Sequence, residues 1–90
     1  MEKFPLLKKE QVALLRSDLD TGHVLDDRYN LAVDDSQKVY SIFDTLDDAL
    51  EYTRQLLNNN IKIECTLYDK RGDELYYFHS LNDYFEKIGY

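Results

Sequence analysis

The chain reads as a single small α+β domain over residues 1–90, an antiparallel sheet of about five strands in the order βββαββα with one long helix packed on one face and a short C-terminal helix. Three observations predict this. The segment from Phe43 to Leu57 spells a helix start, an apolar stripe and a stop in consecutive letters. Ile61 to Tyr68 alternates apolar with polar side chains over a full strand length. Hydrophobic residues make up 43% of the sequence and there are eight Tyr and four Phe against three Gly and one Pro, the composition of an ordered globular chain. Ninety residues suffice for one core and leave no room for two.

Around Glu10 to Ser17 the apolar residues Val12, Ala13, Leu14 and Leu15 point all round a helical wheel, so a strand is expected there. Asp18 to Gly22 follows as a turn, Asp supplying local hydrogen bonds and Gly a positive φ. Tyr29, Leu31 and Val33 alternate with Asn30 and Ala32, and Val39, Ser41 and Phe43 with Tyr40 and Ile42. With Asp34-Asp35-Ser36-Gln37 between them, these two runs predict a hairpin.

Thr45 followed by Asp48 is a helix-capping pattern, with Asp47 and Asp48 in the first turn where the helix dipole favours acids. Leu46, Ala49, Leu50, Thr53, Leu56 and Leu57 share one side of this helix. Asn58-Asn59-Asn60 ends it, Asn tolerating the left-handed backbone common at helix stops. Ile61, Ile63, Cys65 and Leu67 then face one way along a strand, and Asp69 to Glu74 turns it back with Gly72 in a bulged turn. If Asp69 lies opposite Asp73, Leu67 faces Leu75, Cys65 faces Tyr77 and Ile63 faces His79, one core face. Tyr68, Tyr76 and Phe78 fall on the opposite face, too apolar to leave in water. The final helix, capped by Ser80 with Asp83 and carrying Tyr84, Phe85 and Ile88, is the first expected cover, the arm around Phe4, Leu6 and Leu7 the second and a self-associating interface the third.

At Phe43-Asp44-Thr45-x-x-x-Ala49, between the Val39 to Phe43 strand and a strand that ends near Gly72, the chain resembles short bacterial domains of unknown function. The likeness covers roughly residues 29–75. It implies the fold and a bacterial character, and brings no activity with it.

Charge narrows the classes of function. Of the net −7, residues 17–53 carry ten acids against Arg28 and Lys38, so this surface repels nucleic acid and anionic membranes and steers basic partners inward. One cysteine excludes an internal disulfide framework, and with two histidines it cannot build a Cys/His zinc site. No signal-like apolar run opens the sequence and none approaches the roughly 20 residues needed to cross a bilayer, so a cytoplasmic protein is expected.

Several short motifs dissolve on inspection. Asp20-Thr21-Gly22 matches the aspartic protease triplet, but the other glycines, Gly72 and Gly89, supply no flap or second active-loop glycine. Asp18-x-Asp20-x-Gly22 begins like a calcium loop and fails at its twelfth position, Tyr29. Arg71-Gly72-Asp73 reads as a hairpin tip. Cys65, on an inward strand position, reads as a packed thiol rather than a nucleophile paired with His79. Tyr68, Tyr76, Tyr77, Tyr84 and Tyr90 lack the basic groove that base-stacking aromatics accompany.

The expectation is therefore a non-enzymatic protein-interaction or regulatory module without cofactor or bound metal. Two candidate surfaces stand out, an acidic one (Asp26, Asp27, Asp34, Asp35, Asp47, Asp48, Glu51, with Asp18 and Asp20 beside them) and an aromatic one (Tyr68, Tyr76, Phe78). A protein partner or self-association suits either. Two alternatives are an acidic inhibitor or nucleic-acid mimic that binds a basic partner, and a weak metal-dependent activity through the Asp18 to Asp27 loop.

Overall fold

Alternation along Val12–Asp18 places Val12, Leu14 and Arg16 on one side of the first strand, β1, which runs up the middle of the sheet. The structure is a computed structural model and describes residues 1–60 and 62–89. Ile61, expected at the head of a strand, and Tyr90, of the tyrosine group, lie outside the described residues. The further elements are β2 (Val24–Leu25), β3 (Tyr40–Phe43), α1 (Leu46–Asn59), β4 (Ile63–Tyr68), β5 (Glu74–Phe78) and α2 (Leu81–Ile88). All strand pairs are antiparallel: β1 is flanked by β4 on one edge, with β5 beyond it, and by β2 and β3 end to end on the other. The α+β architecture in the order βββαββα is the one the sequence predicts.

The long helix forms for the reasons its letters give. Thr45 Oγ1 accepts from the backbone N–H of Asp48 at 3.1 Å, and Ala49, Leu50, Thr53, Leu56 and Leu57 are buried against the sheet. Its end differs from expectation. Asn60 holds an extended backbone (φ −139°) rather than a left-handed one, and stops the helix by donating its side-chain amide to Leu56 O at 2.9 Å.

One core lies between the sheet and the two helices, built from Val12, Leu14, Ile63, Cys65, Leu67 and Phe78 below and the apolar stripes of α1 and α2 above. Ser80 caps α2, and Tyr84 packs its ring 5.0 Å from that of Phe78. On the other side of the sheet the N-terminal arm takes over: Phe4 meets Tyr40 and Tyr68 edge-on at 5.3 and 5.9 Å.

Two expectations are corrected. No strand covers Tyr29 to Val33, and no hairpin joins that run to β3. The second strand is Val24–Leu25, which pairs with β1; the Tyr29 to Val33 run meets it through a single bridge, Leu31 opposite Leu25, with Ala32 N donating to Val24 O, and β3 pairs with β1 instead. Alternating letters mimicked a strand here, but beyond that one bridge the residues between Leu25 and Val39 are held by backbone turns and side-chain hydrogen bonds rather than by a ladder.

The second correction concerns β4 and β5. The predicted turn pairing persists as Tyr68 opposite Glu74, but a bulge at Leu75 then shifts the register, so that Leu67 faces Tyr76 and Cys65 faces Phe78. Because side chains alternate, one inserted residue exchanges the two faces of everything after it. Phe78 is therefore fully buried and Tyr76 packs against the core, whereas Leu75 and His79 are exposed and Tyr77 reaches the outer face, where it donates to Glu64. The aromatic surface of Tyr68, Tyr76 and Phe78 does not exist as one face. Tyr68 alone points outward, under Phe4.

Candidate functional site

The segment from Asp26 to Val39 is the longest stretch without strand or helix in the interior of the chain, and its own side chains hold it in shape. Asp26 sits at its entrance, only 6% exposed, and its Oδ1 accepts from the backbone N–H groups of Arg28 and Asn30, both at 2.9 Å. Gln37 near the exit closes the loop. Its amide donates to Asp26 Oδ2 at 2.8 Å and to Leu31 O at 2.9 Å, while its Oε1 accepts from Val33 N and Asp34 N at 2.8 and 3.0 Å. The hydrogen bond from Gln37, then that from Asn30, holds the Asp26 carboxyl below its ordinary range against the opposing pull of burial. Asp34 accepts from Ser36 N at 2.7 Å and is lowered chiefly by that bond.

What the loop presents follows from this. Val33 is 85% exposed, Leu31 50% and Tyr29 46%, with Asp27, Asp34 and Asp35 exposed around them. Tyr29 is one of two non-glycine residues with positive φ among the described residues, at 67°. These apolar side chains stand out to solvent on a loop whose backbone its own side chains hold in place.

The predicted acidic surface divides into parts. Asp26 is an internal staple and not a surface residue, a correction with the reason just given. Asp35 pairs with the N-terminal ammonium group. Asp47 and Asp48 are exposed in the first turn of α1, and Glu51 is taken by Arg54 at 2.6 Å and Gln55 at 3.2 Å, the arginine being the main reason its carboxyl is lowered. In the Asp18 to Asp27 segment, Asp18 Oδ1 accepts from Asp20 N and Thr21 N, and Asp20 lies 3.3 Å from Lys62 Nζ. Among the described residues no group of three His, Cys, Asp or Glu side chains is placed to hold a metal ion. Nor is any described helix long and apolar enough to cross a membrane.

Sequence reasoning passed over Gln37, Val33 and Arg16. The first two look like ordinary loop residues. Arg16 did carry a signal: it holds the inward phase set by Val12 and Leu14, and the structure buries it to 1% exposure beside Cys65. Cys65 itself is fully buried and its thiol is pushed up to about 12 by that burial, with the Arg16 charge pulling weakly the other way. His79 is exposed, so no Cys65/His79 pair forms. No protein-family model, no curated protein and no solved structure matches the chain.

Proposed function

We propose that this chain is a non-enzymatic protein-interaction module whose recognition element is the loop from Asp27 to Lys38. The observation that carries this reading is the 85% exposure of Val33 on a loop stapled by Gln37 and Asp26. A loop already fixed in shape loses little entropy when a partner closes over it, so its apolar tip contributes to affinity almost undiminished. Asp27, Asp34 and Asp35 around the tip select a partner with an apolar depression rimmed by Lys or Arg, and speed its approach at low salt. Side chains of the chain itself contact both outer strand edges, which supports a loop rather than an added strand as the contact: Val39 N and Tyr40 N, where β3 begins, donate to Glu2 Oε1 at 2.9 and 3.1 Å, and Lys87 Nζ donates to Tyr77 O of β5 at 2.5 Å.

The test is photocrosslinking in the native host from a reactive residue placed at Val33, with the same residue at Leu75 on the bulge as the control. A discrete product from Val33, absent from Leu75 and abolished by Asp34→Lys, supports the reading. Equal or no crosslinking at the two positions removes it. A product from Val33 that survives Leu31→Asp yet vanishes when Asp34 and Asp35 become Asn replaces it with the charge-mimic alternative.

A further inference from the structure

The two most exposed large apolar side chains of the described residues are Leu6, at 100%, and Val33, and they stand among opposite charges. Val33 lies in the acidic loop. Leu6 lies in the N-terminal arm, residues 1–11, which carries Lys3, Lys8 and Lys9, all exposed. None of these three ammonium groups has a hydrogen bond or an ion pair among the described residues. Of the two acids in the arm, Glu2 is turned to Val39 N and Tyr40 N, which leaves Glu10 against three lysines. On a chain of net −7, the arm is a local cationic surface with an apolar side chain at its centre.

Leu6 is held out rather than left loose. Upstream, Phe4 is seated on Tyr40 and Tyr68, and Pro5 fixes one more φ. Downstream, Gln11 N donates to Lys8 O at 3.0 Å, Lys8 N donates to Gln11 Oε1 at 2.8 Å, and the Gln11 amide donates to Asp44 Oδ1 at 3.2 Å. Between these two pins the arm crosses the outer face of the sheet from Tyr40 toward Asp44. Ile42, which shares that face with Tyr40, is 49% exposed there, so Leu6 and Ile42 stand on the same side of the sheet. A segment pinned at both ends loses little entropy when a partner covers it.

We infer that the arm is a docking site for an acidic segment of another protein, one that sets apolar side chains on Leu6 and Ile42 and carboxylates against Lys3, Lys8 and Lys9. Charge complementarity chooses this occupant. A second copy would bring −7 toward −7. An anionic lipid surface meets the same repulsion, and three lysines fall short of the roughly four to eight that hold a protein on one. The acidic loop calls for a partner of the other sign, so the arm does not rest on the reading given to the loop.

The test titrates the intact, carbon- and nitrogen-labelled chain with a Glu-rich helical peptide bearing a stripe of Leu. Parallel arms use the same peptide with its Leu replaced by Ser, the same peptide with its Glu replaced by Lys, and phosphatidylglycerol vesicles. The expected result is a saturable shift of the Leu6 and Ile42 methyl groups and of the Lys8 and Lys9 amides, with Val33 unmoved. Binding should weaken roughly tenfold for the Ser peptide, and equally for the Leu6→Ser chain, whose fully exposed substitution leaves the fold intact. It should also weaken as salt rises from about 0.05 to 0.3 M, and the Lys peptide should leave Leu6 unmoved. No shift at Leu6 up to about 1 mM acidic peptide overturns the inference. Equal binding of the Leu and Ser peptides reduces the arm to a non-specific cation and overturns it too. A larger response to the vesicles overturns the choice of a protein partner. A shift at Val33 with the Lys peptide bears on the loop alone, so the two readings fail separately.

Discussion

Single residues in this chain take their chemistry from depth rather than from type. Cys65 is the plainest case. Its thiol, pushed up to about 12 by burial, stays protonated through the physiological range, so native protein should be unreactive toward a disulfide reagent such as DTNB at pH 8. Full labelling should appear only on unfolding, and rapid labelling of the native state would show that β4 opens. Asp26 is the second case, and its sign is opposite. Gln37 and the backbone N–H groups of Asn30 and Arg28 hold its folded pKa below 3.8, so its contribution to stability is complete above the ordinary carboxylate range. That contribution disappears as pH falls through the folded value. Asp26→Asn should therefore melt below the wild type at pH 7, with the gap closing toward pH 3. A gap that is constant with pH would mean that shape, and not charge, is what Asp26 supplies. From letters alone Asp26 was not separable from Asp27 and Asp34; only hydrogen-bond geometry sets the staple apart from those two at the surface.

At the scale of elements, α1 was legible almost residue by residue because cap, dipole and periodicity agree within one short window. The β4–β5 pair was half legible. Its turn and both strands follow from local letters, but the bulge at Leu75 leaves no mark in them, since the choice of which residue to skip depends on what the core across the sheet accepts. Phe78 fills that core between Cys65 and Tyr84, whereas the alternative register would bury Tyr77 with its hydroxyl. Phe78→Ala should accordingly cost about 3–5 kcal/mol, while Leu75→Ala, at an exposed bulge, should stay within about 0.5 kcal/mol. Urea titrations of the two variants decide the point, and the reverse order would restore the unbulged register. The loop between β2 and β3 was misread for a related reason. Alternation at Tyr29, Leu31 and Val33 is a real signal of period two, but Gln37 and Asp26 take up the backbone N–H groups of Arg28, Asn30, Val33 and Asp34, and the ladder stops at the one Leu25–Leu31 bridge.

At the scale of the whole molecule, the sheet has one face under helices and one under the first few residues of the chain, and that asymmetry carries a further prediction. Phe4 is the only ring over Tyr40 and Tyr68 among the described contacts, and Glu2 accepts from Val39 N and Tyr40 N where the chain enters β3. The arm thus performs two tasks, apolar cover and edge protection, that separate variants can pull apart. Phe4→Ala removes half-buried aromatic surface and two edge-on ring contacts, about 2 kcal/mol of stability, and leaves the edge closed. Glu2→Ala keeps the ring and bares Val39 N and Tyr40 N, a template on which a second chain can pair. Acidic self-repulsion from the net −7 opposes that pairing at low salt and weakens as salt screens it. Light scattering at two concentrations should therefore show the mass of Glu2→Ala rising with concentration at about 0.5 M salt and much less at about 0.02 M, where the screening length is several times longer. Phe4→Ala should melt early without that rise. A Glu2→Ala mass that does not change with concentration at either salt would show that the edge is closed by something other than this carboxylate.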